Sequence, residues 1–311
     1  MNKKTKHDYL KLANHFLQAR LTGKGIAVTP KNIKQALRGC ATEYRPAYWR
    51  RLRCALVTQQ DETGFNKGAE AIKVVSNPVT VASASKEMKA KQKRRKHVEK
   101  EEHVLLKRHL DAKGDRCLFA TLELARILGC RPIEMMSLQL KANNSIFIEG
   151  AKKTENGLRG LDRTIILSQS DYDNVASSFL LLHEYQHTKG ISKTTMMRRL
   201  QHRLATATKK LWPKRRHQIT LYSYRHQMGS DLKASSMDRE EVAAVMGHQS
   251  VDSVDVYGNK RRSSRNLSIT ATAESIVSVR KTQLKSTDYI KNKSTRNSQR
   301  SRVHNSTLTR L

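Results

Sequence analysis

Acidic residues are scarce in this chain. Its 27 Asp and Glu face 60 Lys and Arg, a formal net charge of +33 over 311 residues. That surplus has to be neutralised by a polyanion, and nucleic acid is the commonest one. Cysteine is also scarce: Cys40, Cys54, Cys117 and Cys130 make no framework and no C-x-x-C pair, which excludes a secreted disulfide scaffold. They read as buried, soft core residues. Aromatics are 5% and hydrophobic residues 37%, lean but sufficient for a globular core with polar linkers and tails. No window approaches the roughly 20 apolar residues needed to cross a bilayer, and no signal-length apolar stretch follows the opening MNKKTKHDYL. The expectation is a reduced, cytoplasmic protein with no membrane partner, long enough for two ordinary domains.

Residues 1–75 read as a helical domain. Tyr9, Leu10, Leu12, Ala13, Phe16, Leu17 and Leu21 share one helix face, closed by Gly23 and Gly25. Thr29-Pro30 pairs a capping residue with proline at the first helical position and opens a second helix through Ile33 and Leu37 to Gly39. A third starts near Pro46 and sets Tyr48, Trp49, Leu52, Ala55 and Leu56 among Arg45, Arg50, Arg51 and Arg53. Such interleaving suits a helix packed on one side and laid on phosphates on the other, with a solvated basic face as the plain alternative. Residues 76–100 form a basic linker, with eight Lys/Arg between Lys86 and Lys100 against two Glu. Its densest run, Lys93, Arg94, Arg95 and Lys96, would lie along nucleic acid or simply in solvent.

A second domain spans 101–262. HVLLKRHLDAKG and DRCLFATLELARILG read as helices, the latter stopping at Gly129. SIFIEGAKK and DRTIILS are β-branched runs that make a hairpin or small sheet. Helical patterns return over 171–187, 194–211, 224–234, 238–246 and 251–256. Residues 263–311 are a basic segment, partly helical and then disordered over about the last 30 residues. The fold class is mainly α with a small β-sheet.

Three stretches carry the chemistry. GCRPIEMMSL places Arg131 after a glycine turn, with Glu134 one turn into a helix opened by Pro132. LYSYRHQMGSDL places Arg225-His226 near a helix start, and MGHQSVDSVDVYG supplies Gly247-His248 and Tyr257. The ordered pattern G-x-R-x-x-E-x-x-x-L, then R-H, then G-H, then Tyr nine residues after that His, resembles the tyrosine recombinase (phage-integrase-like) family. The resemblance covers roughly residues 100–262, and the basic N-terminal region resembles the family's core-binding domain.

The resemblance implies that Arg131 and Arg225 clamp a scissile phosphate, as two forked guanidiniums can and one lysine cannot. His248 would hydrogen-bond the same phosphate. Tyr257 would be the nucleophile of a 3′-phosphotyrosyl intermediate; a free phenol, with a pKa of about 10, needs surrounding cations to serve. The family's general-acid lysine falls on Lys153, with Lys152 the alternative one register step away. Glu134 would orient Arg131. The chain departs from the family at Tyr222, where H-x-x-R usually has histidine; Tyr222 can still hydrogen-bond but is a poorer proton acceptor.

HEYQHTKG at 183–190 fits the H-E-x-x-H zinc-protease pattern. The position for a third histidine is Lys193, no carboxylate lies between Glu184 and Asp231, and dense cations would repel a dication. We read it as a helix of the second domain. By resemblance the architecture is a two-domain DNA clamp, helical core-binding plus α+β catalytic, with no metal or nucleotide cofactor. Its partner is double-stranded DNA at a recombination site, near the nucleoid. The protein would be a homo-tetramer on two sites, a monomer or dimer off DNA, with an accessory DNA-bending protein. The other readings are a silent DNA-binding protein of the same fold and a type IB topoisomerase-like enzyme; an RNA-binding protein fits composition only.

Overall fold

A computed structural model describes residues 1, 3–81, 88–89, 94–151, 160–265 and 267–281. The chain divides into two compact units, Met1–Lys93 and Arg94–Leu311, each with its own apolar core.

The first unit is helical. α1 (Lys3–Arg20) runs longer than its apolar face alone suggested, and α2 (Pro30–Gly39) begins where Thr29 accepts a hydrogen bond from the Asn32 amide at 3.2 Å. α3 (Pro46–Glu62) buries Trp49, Leu52, Ala55 and Leu56. Trp49 Nε1 donates to Leu37 O at 2.7 Å, locking α3 to the end of α2. A fourth helix, α4 (Asn66–Lys73), which the sequence reading did not separate, adds Ile72 to this core.

The second unit sets seven helices and a four-stranded sheet around one core, among the described residues. α5 (Lys100–Asp111) and α6 (Arg116–Leu128) come first. Arg131–Leu138 forms a 3₁₀ turn (Pro132–Met136) in place of the expected helix and leads straight into β1 (Leu138–Lys141). β2 (Ser145–Ile148) and β3 (Arg163–Leu167) follow as an antiparallel pair with Ile146 opposite Ile165. β4 (Ile269–Ala271) completes the antiparallel order β1-β2-β3-β4, pairing Ala271 with Ile165. This strand belongs to a stretch read from its composition as a basic segment beyond residue 262: three residues, Ile269–Ala271, are too few to show a period. Likewise, the unit starts at Arg94, since Val98 is buried in its core.

α7 (Gln169–Thr188), α8 (Lys193–Leu211), α9 (Leu221–Ala234), α10 (Arg239–Val245) and α11 (Ala273–Val277) complete the unit. Each of α7 to α10 opens on a Ser, Thr or Asp whose side chain accepts a backbone amide. α6 ends at Gly129 with φ 53°, and a Cβ there would overlap the Met228 side chain of α9. Gly129→Ala therefore combines left-handed strain with overpacking, and we expect it to lower unfolding free energy by about 1–3 kcal/mol, measured by urea denaturation.

Candidate active site

Arg131 and Arg163 converge on one carboxylate, with Arg225 buried beside them. Glu134, 1% exposed, takes the Arg131 amide at 2.9 Å and Arg163 Nη2 at 3.1 Å on Oε2. Its Oε1 takes Arg131 Nη1 at 2.7 Å and the Ala151 amide at 3.2 Å. Burial alone would raise the Glu134 pKa, but Arg163 and Arg131 outweigh it and hold the group at about 2. Glu134 therefore orients Arg131 and also anchors the start of the β2–β3 connection.

The remaining guanidinium bonds go to backbone carbonyls at helix ends. Arg225, fully buried in α9, donates from Nη1 to Gly129 O at 2.9 Å and from Nη2 to Met246 O at 2.6 Å. Arg163 Nε donates to Val245 O at 2.9 Å, and Arg131 Nη2 to Gly247 O at 3.3 Å. These carbonyls lie at the C-terminal ends of α6 and α10, where acceptors have no helical partner and the dipole is negative. Left-handed glycines, Gly129 and Gly247 (φ 61°), turn the chain away at both ends.

His248 is 3% exposed, with Arg225 Nη2 3.0 Å from its Nε2. Burial first, then Arg225, Arg131 and Arg163, push its pKa down to about 2, so the imidazole is neutral. With Nε2 facing a donor, its proton sits on Nδ1. Among the described residues, His248 Nδ1, Arg225 Nε and Arg163 Nη1 are buried donors without a partner. Burial, Arg131 and Arg163 bring Arg225 down to about 10, still charged at neutral pH. Three guanidiniums against one carboxylate leave two positive charges and donors to spare, which is the chemistry of an anion site.

Tyr257 packs into this cluster. Its ring lies 5.0 Å from that of His248, 4.9 Å from that of His226, and 4.8 Å from Arg225 Cζ. It follows a 3₁₀ turn, Val251–Val256, and leaves in extended conformation. The next residue, Gly258 (φ 69°), runs so close to α9 that a Cβ would overlap the Ser230 amide, and a Cβ on Gly229 would crowd the Tyr257 Cβ at 3.1 Å. Ser230 Oγ accepts the Asn259 amide at 2.9 Å, and Lys233 Nζ reaches Gly258 O at 3.3 Å. Two glycines and two α9 side chains thus fix where the tyrosine stands.

No protein-family model and no curated protein matches the chain. Solved structures do. A lambda integrase dimer bound to a COC′ core site matches with a TM-score of 0.52 at 16% identity, covering 84% of this chain and 73% of that one. A lambda integrase tetramer bound to a Holliday junction matches with a TM-score of 0.51 at 16% identity, over 84% and 73%. The chain has the tyrosine-recombinase fold.

Within that fold the structure brings Arg131, Glu134, Arg225, His248 and Tyr257 together. Lys152 and Lys153 lie outside the described residues, as does Lys93. Tyr222 stands apart: it is 38% exposed on the first turn of α9 and, among the described residues, has no hydrogen bond or ring contact to Arg225, His248 or Tyr257. Tyr224 is buried, its hydroxyl 3.1 Å from His103 Nδ1, and burial pushes its pKa up. Of the basic residues read as DNA contacts, Arg50, Arg51, Arg94 and Lys96 are exposed, and Arg45 is half-buried at the start of α3. Two others are committed within their own units. Arg53 donates to Val75 O at 2.8 Å and lies over Trp49, while Arg95 shares Glu102 with Arg215. His183 and His187 are exposed on α7 with rings 4.4 Å apart, and among the described residues no group of three or more His, Cys, Asp or Glu could hold a metal ion.

The sequence reading assigned no role to Arg163. The available signal was phase: in DRTIIL, Arg163 alternates with Ile165 and Leu167 and so shares the inward face of the strand.

The Glu134 carboxylate titrates near 2 in the folded chain against an ordinary value of 4.5. A depressed folded pKa stabilises fully above the unfolded value and is lost as pH falls from about 4.5 toward 2, a contribution on the order of 3 kcal/mol at neutral pH. We expect Glu134→Gln to lower unfolding free energy at pH 7 and to make its decline below pH 4.5 shallower, measured by urea titration at several pH values.

Proposed function

We propose that this protein is a site-specific DNA recombinase that cuts and rejoins duplex DNA through Tyr257, for integration or excision of a mobile element. The observation that carries the reading is the Tyr257 ring held against the Arg225 guanidinium at 4.8 Å and His248 at 5.0 Å, in a cluster with two surplus positive charges. A phosphodiester seated there would offer acceptors to the orphaned donors of Arg225 and His248. Arg131 and Arg225 would bind its non-bridging oxygens and stabilise the pentacoordinate transition state. Tyr257 Oη attacks phosphorus, forming the phosphotyrosyl bond as the P–O5′ bond breaks. The phenolic proton leaves to solvent, and the departing O5′ takes a proton from Lys153 or Lys152. The 3′-phosphotyrosyl link retains the bond energy, so a second 5′-hydroxyl can attack it and restore the backbone.

The two units would clamp duplex DNA, with Arg50, Arg51, Arg94 and Lys96 on phosphates, and four protomers would join two sites; a lambda integrase tetramer bound to a Holliday junction shares the fold. A second reading, binding without cleavage, is favoured by one observation: Tyr222 stands where the family usually has histidine and lies away from Tyr257.

Duplex carrying the cognate site, recovered by sequencing DNA that co-purifies with the protein, would be nicked beside the scissile phosphate so that the short fragment diffuses away. We expect a covalent adduct that survives EDTA and Tyr222→Phe and disappears with Tyr257→Phe. Tight binding with no adduct from wild type would establish the second reading. Affinity should also fall with salt, with a log–log slope of about −0.9 per phosphate neutralised.

A further inference from the structure

Arg163 is 2% exposed, yet it bonds to both halves of the site. Nη2 holds Glu134 Oε2 at 3.1 Å, and Glu134 in turn holds Arg131. On the other side, Nε holds Val245 O at 2.9 Å at the end of α10. Nη1 lies directly beneath Gly247, where a Cβ would overlap Nη1 and Cζ, and among the described residues it has no hydrogen-bond partner. Gly247 precedes His248 and accepts Arg131 Nη2 at 3.3 Å.

We propose that Arg163 is a positioning residue that sets the spacing between Arg131 and His248 by tying the Glu134 turn to the Gly247 turn; this deepens the strand-cleavage reading and rests on it. A buried guanidinium with an orphaned N–H is a poor way to fill a core, and an apolar side chain of similar volume commonly costs no more. What the arginine adds is a rigid planar fork with donors in two directions, spanning, beside Arg131, two turns that lie 116 residues apart in the chain, from Arg131 to Gly247. Lysine, a single point donor on a flexible stem, cannot hold both.

The test is single-turnover cleavage of the nicked duplex by wild type, Arg163→Met and Arg163→Lys, with DNA affinity and melting temperature measured alongside. A displacement of about 1 Å at reacting groups costs on the order of 10²-fold in rate. Both variants should therefore cleave about 10- to 100-fold more slowly, with the reacting fraction and DNA affinity kept within about twofold. A purely structural role moves different readouts: melting temperature and reacting fraction fall while each folded molecule cleaves at the wild-type rate, and that result overturns the inference. If Arg163→Met does not fold, Arg163→Lys decides by the same two readouts. If neither folds, Gly247→Ala, which presses on the same guanidinium from the other side, takes their place, with a slower rate at full reacting fraction in support and an unchanged rate against. Absence of an adduct from wild type overturns the cleavage reading and this inference with it; wild-type adduct with unslowed variants overturns this inference alone.

Discussion

Three arginine side chains inside a protein need acceptors, because an unpaired buried charge costs several kcal/mol after relaxation. One carboxylate cannot serve three forks. The fold therefore brings the C-terminal ends of α6 and α10 together, where Gly129, Val245, Met246 and Gly247 present carbonyls with no helical donor. Each acceptor is partial in charge, so the guanidiniums are held without being neutralised, and the cluster keeps a positive surplus. A ring of carboxylates would have given a tighter core and no attraction for a phosphate.

That arrangement explains which local features are strained or unusual. Gly129 and Gly247 take left-handed conformations because the chain must leave each helix while its last carbonyls point at arginines. α9 supplies Arg225 from its buried face and, one turn on, the Gly229 that lets Tyr257 approach. One helix thus positions both the central cation and the tyrosine ring packed against it. The sheet contributes at its start: β3 opens with Arg163 on the inward phase, so the strand that packs the core also ties Glu134 to α10.

Much of this was legible in the sequence, for a stated reason in each case. Long amphipathic helices such as α1, α6 and α8 carry their period over several turns, and their ends carry capping residues or glycine. Arg131, Glu134, Arg225, His248 and Tyr257 were legible through their resemblance in order and spacing to the tyrosine recombinase family, not through any local propensity. β1 and β4 were missed because strands of four and three residues give no usable period, and β4 lies in a basic, Ser-rich stretch. Arg53 and Arg95 look like their solvated neighbours in composition; only the partners folding brings to them, Val75 O and Trp49 for one and Glu102 for the other, set them apart.

The sequence by itself determined the polyanion-seeking charge and the helical class, since these depend on composition and on period; the five residues around the candidate phosphate site came from the resemblance of their order and spacing to the tyrosine recombinase family. Tertiary structure decided that the Tyr257 ring packs against Arg225 and that Tyr222, among the described residues, does not. It also decided that the carbonyls of two helix ends and a third arginine complete the site. Those facts depend on contacts between residues 129, 163, 225, 247 and 257, which approach one another only when α6, α9, α10 and the sheet share one core. No spacing along the chain encodes a distance that packing alone creates.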